Sequence, residues 1–169
     1  MHDRAQGSSA PVTGPPVSVH FVNNVLAAAA SYIEVEPDTA RDVLAGLGAF
    51  LSHRLRPGRV VPLSEELEHV AVYLRLEQAR FPGRLEAELP AASGLPSSAA
   101  IVPGAVQAPL ADALGRWLGE RRGRVRVALR ARMDGAALDA QFDEPDDSSA
   151  TAERVRIALP SPATAGGVA

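Results

Sequence analysis

The sequence predicts an α+β protein, an N-terminal helical hairpin followed by a small α/β sandwich. Three observations carry this. Apolar residues recur at helical spacing from Val17 to Leu55, interrupted by Glu36-Pro37 and closed by Pro57-Gly58. Beyond residue 59 short alternating segments take over: Leu85 to Leu89, Val125, Val127 and Leu129 between arginines, Ala137 to Phe142, and Arg154 to Leu159. Helical stretches stand among these strands, so the second unit mixes both kinds of element.

Residues 1–14 are rich in Gly, Ser and Pro without periodicity and are expected to form a disordered arm. A first helix is expected over about Val17 to Val35. Val22, Leu26, Ala29 and Ile33 make its buried stripe, with His20, Asn24, Ala27 and Ser31 on the opposite side. Asp38 is a good N-cap for a second helix, whose apolar face is Val43, Leu44, Leu47, Phe50, Leu51 and Leu55. So short a connection sets the two helices antiparallel. Each stripe is wider than a lone hairpin can cover. A second copy completing a four-helix bundle is the economical solution, which predicts a homodimer.

Val60 to Leu63 suggests a short strand, and Ser64 an N-cap for a third helix with Glu65 and Glu66 in its first turn. Leu67, Val70, Leu74 and Phe81 lie along its buried side, and Pro82-Gly83 closes it. A Pro, Ala and Ser linker precedes a fourth helix from about Val106 to Leu118, the three closing strands follow, and residues 161–169 are a loose tail. The expected division is a hairpin over 15–58 and an α+β domain over 59–160.

Composition excludes several function classes. The 169 residues contain no cysteine, so disulfides, thiolate metal sites and a cysteine nucleophile are absent. No apolar run approaches the roughly 18 residues of a membrane span, and the first sixteen residues lack a signal-peptide core. A cytoplasmic protein is expected. The net charge of −3 argues against a dedicated nucleic-acid binder. All seventeen basic residues are arginine.

The residue pattern with the most chemistry is His20 with Asn24 one helical turn later. A histidine facing away from the core offers an imidazole that an outside partner can reach. His2 falls in the arm. His53 and His69 sit on separate helices without metal-ligand spacing, so no metal site is expected. The arginine-rich stretch from Arg116 to Arg132 is the solvated face of an amphipathic strand, and Asp143 to Asp147 is a solvated turn.

With these residues in place, the chain resembles the cytoplasmic part of LytS/YehU-type sensor histidine kinases. His20-Phe21-Val22-Asn23-Asn24 matches the family's Pro-His-Phe-Leu-Phe-Asn at the His, the Phe, an aliphatic and the closing Asn. It departs at Val19 and Asn23. Leu47 to His53 keeps the leucines of a second motif but has Ser52-His53 where the family has Arg-Tyr. The third motif is the strongest: Val61, Leu63, Glu65-Glu66-Leu67, Tyr73-Leu74, Glu77 and Arg80-Phe81, continuing into Arg84-Leu85-Glu86.

The resemblance implies that His20 is the phosphoacceptor, that Asn24 orients its ring or the phosphoryl group, and that the partner is a response-regulator receiver domain. It also implies an ATPase-like sandwich. The family's magnesium-binding Pro-Leu-Val-Glu-Asn-Ala is here Pro109-Leu110-Ala111-Asp112-Ala113-Leu114, with Ala113 in place of the liganding Asn. The family's Asp-Asn-Gly-x-Gly is here Asp143-Glu144-Pro145-Asp146-Asp147, which keeps the adenine-reading Asp but adds negative charge and a proline. Few residues remain before Arg154 to build an ATP lid. Asp112 and Asp143 are thus remnants, and ATP with Mg²⁺ is expected to be lost. The expected function is phosphohistidine phosphotransfer toward a response regulator, similar to the sporulation-relay phosphotransferases. The alternative is a non-catalytic pseudokinase or scaffold that binds a kinase or regulator.

Overall fold

The first helix, α1 (Val19–Tyr32), starts where Ser18 accepts a hydrogen bond from the Phe21 backbone N–H at 3.3 Å. It stops short of Glu36, because the residue before a proline is disfavoured in the helical region. Pro37 then occupies the first position of α2 (Pro37–Arg54), where a missing N–H is harmless. Asp38 lies inside that first turn, bonded to Arg41, so the N-cap predicted at Asp38 belongs instead to Glu36. These features belong to a computed structural model describing residues 14–55, 59–90, 100–131, 137–147 and 152–159. The predicted arm up to residue 13, the Pro57-Gly58 stop, the linker over 91–99 and the tail lie outside the described residues.

A two-residue strand, β1 (Val61–Pro62), leads straight into α3 (Leu63–Arg80), so the helix begins one residue before Ser64 and Pro62 occupies the cap position. β2 (Leu85–Glu88) and β3 (Ala100–Ile101) follow, then α4 (Gln107–Glu120), β4 (Val125–Ala131), β5 (Ala137–Asp143) and β6 (Glu153–Ala158). Strands β2, β4, β5 and β6 form one sheet in that order, with β2 parallel to β4 and the other pairs antiparallel. β1 pairs with β3 in a separate ribbon, Val61 opposite Ile101.

Helices cover one face of the sheet. Val125, Val127, Leu129, Leu138, Phe142 and Ile157 point into the same core as Leu110, Leu114 and Trp117 of α4. The other face is charged and laced across strands. Glu88 meets Arg130 at 2.9 Å, Glu86 meets Arg124 at 3.0 Å, and Asp143 meets Arg126 at 3.0 Å. Arg124, Arg126 and Arg130 therefore lie on the outer face of the sheet, as their alternation predicted, whereas Arg116 belongs to α4 and Arg121 follows that helix and lies over Trp117.

The hairpin does not stand apart. α3 packs against both α1 and α2, and Val25, Ala29, Val43, Leu47 and Phe50 belong to one continuous core with Val70, Tyr73 and Leu74. Much of the cover that the sequence assigned to a second copy is therefore supplied by α3. The stripe of α1 is rotated accordingly: Val25 and Ala29 are buried, whereas Leu26 and Ile33 of the expected stripe are exposed. On α2, Leu44 and Leu55 are exposed while Val43, Leu47 and Phe50 are buried. Among the described residues, no helix is long and apolar enough to cross a membrane.

Candidate functional site

His20 stands in the first turn of α1, on the exposed side, and the Ser18 cap fixes that turn. One turn on, the Asn24 amide nitrogen lies 3.1 Å from His20 Nε2. An amide nitrogen can only donate, so Nε2 is the acceptor and the ring proton of the neutral form sits on Nδ1. The predicted pair is thus in contact, with the Nε2 lone pair toward the amide. Phe21 turns the other way and anchors the turn. Its ring lies 5.2 Å from Phe50 and 5.4 Å from Tyr73, centroid to centroid.

His20 borders two clefts, of about 290 and 350 Å³, each walled by the C-terminal half of α3 and floored by Ala111 and Gly115 of α4. Tyr73, Glu77 and Arg80 line both. Arg80 Nη1 donates to the Glu77 carboxylate at 2.8 Å, and its guanidinium lies over the rings of Phe21 and Phe81 at 5.7 and 5.1 Å. Burial pushes the Glu77 carboxyl above its ordinary range, against the pull of Arg80. Burial, reinforced by Glu77, holds the Tyr73 hydroxyl well above its own.

Asp112 is exposed and lines the first cleft with His20. Asp143 lines neither cleft and is occupied by Arg126 across the strand pair. Asp112 and Asp143 thus do not both line a cleft with His20. Ala113 is wholly buried in the core. The acidic turn, expected as a solvated turn, is answered by arginines. Glu144 pairs with Arg121 at 2.8 Å, and Asp146 accepts from Arg124 Nε at 2.7 Å. That bond draws the Asp146 carboxyl below its usual range. Among the described residues, no group of three or more acidic or histidine side chains is placed to hold a metal ion.

Sequence reasoning missed a second constellation. Glu66, buried in the first turn of α3, accepts from the backbone N–H groups of Gly104, Val106 and Gln107, and so satisfies the start of α4. The same carboxylate meets His53 Nε2 of α2 at 3.0 Å. A carboxylate accepts, so here Nε2 carries the proton. His53 stacks on His69 with centroids 3.6 Å apart, and the His69 Nδ1–H donates to the Glu65 carbonyl at 2.8 Å. Beside them, Gly104 has φ +88°, a backbone conformation that favours glycine, and the Arg54 guanidinium occupies the space a Cβ would take. Glu66 was visible in the Glu-Glu-Leu motif, but its acceptor role depends on backbone groups 38–41 residues away.

Comparison with known proteins gives a consistent family signal. The histidine kinase family model matches residues 17–85, which include His20, Glu66 and Arg80. The sensor protein LytS of Bacillus subtilis (strain 168) is 30% identical over 124 residues, covering 72% of this chain and 21% of that protein. The sensor histidine kinase BtsS of Escherichia coli (strain K12) is 29% identical over 129 residues, covering 76% of this chain and 23% of its own length. LytS of Enterococcus faecalis (strain ATCC 700802 / V583) is 28% identical over 127 residues, 73% of this chain and 21% of that protein. The chain spans about a fifth of the length of these curated relatives.

Proposed function

This chain belongs, over the part that matches, to the LytS-type sensor histidine kinases, and we propose that it serves two-component signalling as a phosphohistidine phosphotransferase toward a response-regulator receiver domain. The observation that carries this reading is the His20–Asn24 pair, an exposed imidazole whose Nε2 lone pair is held by an amide donor.

The chemistry follows from that proton placement. As Asn24 releases it, the Nε2 lone pair attacks the phosphorus of an aspartyl phosphate on the receiver domain. The N–P bond forms, the P–O bond to the aspartate breaks, and the aspartate leaves as a carboxylate. The Nδ1 proton can then pass to water. In the reverse direction a receiver aspartate attacks the phosphorus and the imidazole leaves. The freed Asn24 amide donates to a phosphoryl oxygen, which places the transferred group along the helix. Phosphoryl transfer depends on positioning and charge stabilisation, and a capped helical turn anchored by Phe21 supplies the positioning.

We propose further that ATP and Mg²⁺ take no part. The residues present do not fit the nucleotide: a core methyl at Ala113 cannot ligate magnesium, and the Asp143 carboxylate is paired with Arg126, which bonds its Oδ2. A homodimer is part of the same proposal, supported by the apolar flank that α1 and α2 leave uncovered at Leu26, Ile33, Leu44 and Leu55. The test is transfer from a panel of receiver domains phosphorylated with acetyl phosphate. Wild type should gain acid-labile phosphate from at least one of them, and His20→Ala none. Stable complexes without transfer would replace this reading by the non-catalytic scaffold.

A further inference from the structure

We infer that Arg80 is the anion-holding group of the His20 clefts, binding the oxygens of the phosphoryl group carried on His20. The inference deepens the proposed function and rests on it. Among the described residues lining the two clefts, Arg80 is the one arginine, and the chain has no lysine. Its guanidinium is held on two sides. Glu77 takes both short bonds from Nη1, and the rings of Phe21 and Phe81 lie under the carbon. Phe21 is the residue next to His20, so one ring fixes the helical turn of the nucleophile and the plane of the cation together. Among the described residues, Arg80 Nε and Nη2 donate to no protein acceptor, which leaves part of the donor fork for a ligand. Oxygens of a tetrahedral anion suit that fork better than they suit a point-charge ammonium.

The same clefts set an opposing charge. Asp112 is an exposed carboxylate on the α4 side of the first cleft and disfavours a phosphoryl group there. Arg80 and Asp112 thus act in opposite senses on one group. The first lengthens the life of the phosphohistidine, and the second favours its departure. In a loose transition state charge flows from the phosphoryl oxygens to the leaving nitrogen, so a cation on those oxygens holds the ground state more strongly.

The experiment loads His20 with potassium phosphoramidate, which needs no regulator, and follows loss of phosphate from the His20 peptide by mass spectrometry. Removing Arg80 alone leaves a buried Glu77 unpaired, so the informative variant is Glu77→Gln with Arg80→Gln, which removes both charges. With its fold verified by circular dichroism, this variant should lose phosphate about tenfold faster than wild type, the size of one lost charged hydrogen bond. Arg80→Lys should fall between the two, and Asp112→Asn should lengthen the lifetime. Equal lifetimes in wild type and a folded double variant overturn the inference while leaving regulator transfer intact. Failure of every receiver domain to label His20, with the Arg80 dependence preserved, sinks the functional reading instead.

Discussion

At the scale of the residue, two histidines of this chain carry their protons on opposite nitrogens. His20 is exposed and accepts from an amide through Nε2, whereas His53 is buried and donates from Nε2 to Glu66. For the first, Asn24→Ala should leave stability within about 0.5 kcal/mol, because the lost hydrogen bond is solvent-exposed. It should slow phosphoryl transfer about five- to tenfold, the worth of one hydrogen bond of ~1 kcal/mol, in a transfer assay against wild type. For the second, burial pulls the His53 imidazole below its ordinary value of 6.5, with the His69 ring lowering it further and Glu66 and Glu65 opposing. The unfolded chain then takes up a proton near pH 6.5 that the folded chain resists. Stability is full above that pH and is lost as pH falls through the ordinary value toward the depressed one. His53→Gln keeps a donor for Glu66 and removes the titration. Thermal midpoints measured from pH 7.5 to 5.5 should fall more steeply for wild type than for this variant; parallel curves would contradict the assignment.

At the scale of the element, the helices of the hairpin were legible because Pro37 and the apolar spacing are local signals, whereas the Ser18 cap emerged only from the structure. Which side of each helix is buried was not. α1 and α2 have apolar residues on two flanks, and spacing cannot tell the flank under α3 from the flank left open. Val25 went unselected for that reason, and Leu26 was placed in the core. The consequence separates two substitutions. Leu47 is buried against α3, so Leu47→Glu should unfold the chain, at more than about 3 kcal/mol for an unpaired buried charge. Leu26→Glu with Ile33→Glu lies on the open flank and should yield folded monomers. Light scattering at micromolar concentration, with circular dichroism beside it, checks both; a monomeric wild type would contradict the open flank as a dimer surface.

At the scale of the whole molecule, the α+β class and most strands followed from alternation. The His20–Asn24 contact followed from one helical turn of spacing. What the sequence could not show was long-range: Glu66 at the start of α4, Arg80 beside His20, and arginines answering the acidic turn. Each depends on the packing of elements tens of residues apart, which no local pattern encodes. The same packing puts Ala113 in the core and Asp143 on Arg126, so calorimetric titration with Mg-ATP at millimolar nucleotide should give no heat above dilution. Low-micromolar binding would restore the chain to the working kinases.

The most direct test of the account is to map the phosphate itself, by peptide mass spectrometry under alkaline conditions after transfer from a phosphorylated receiver domain. The account predicts phosphate on the peptide containing His20 alone, and none on that peptide's counterpart in His20→Ala. Phosphate on the peptides of His2, His53 or His69, or undiminished labelling of His20→Ala, would contradict it.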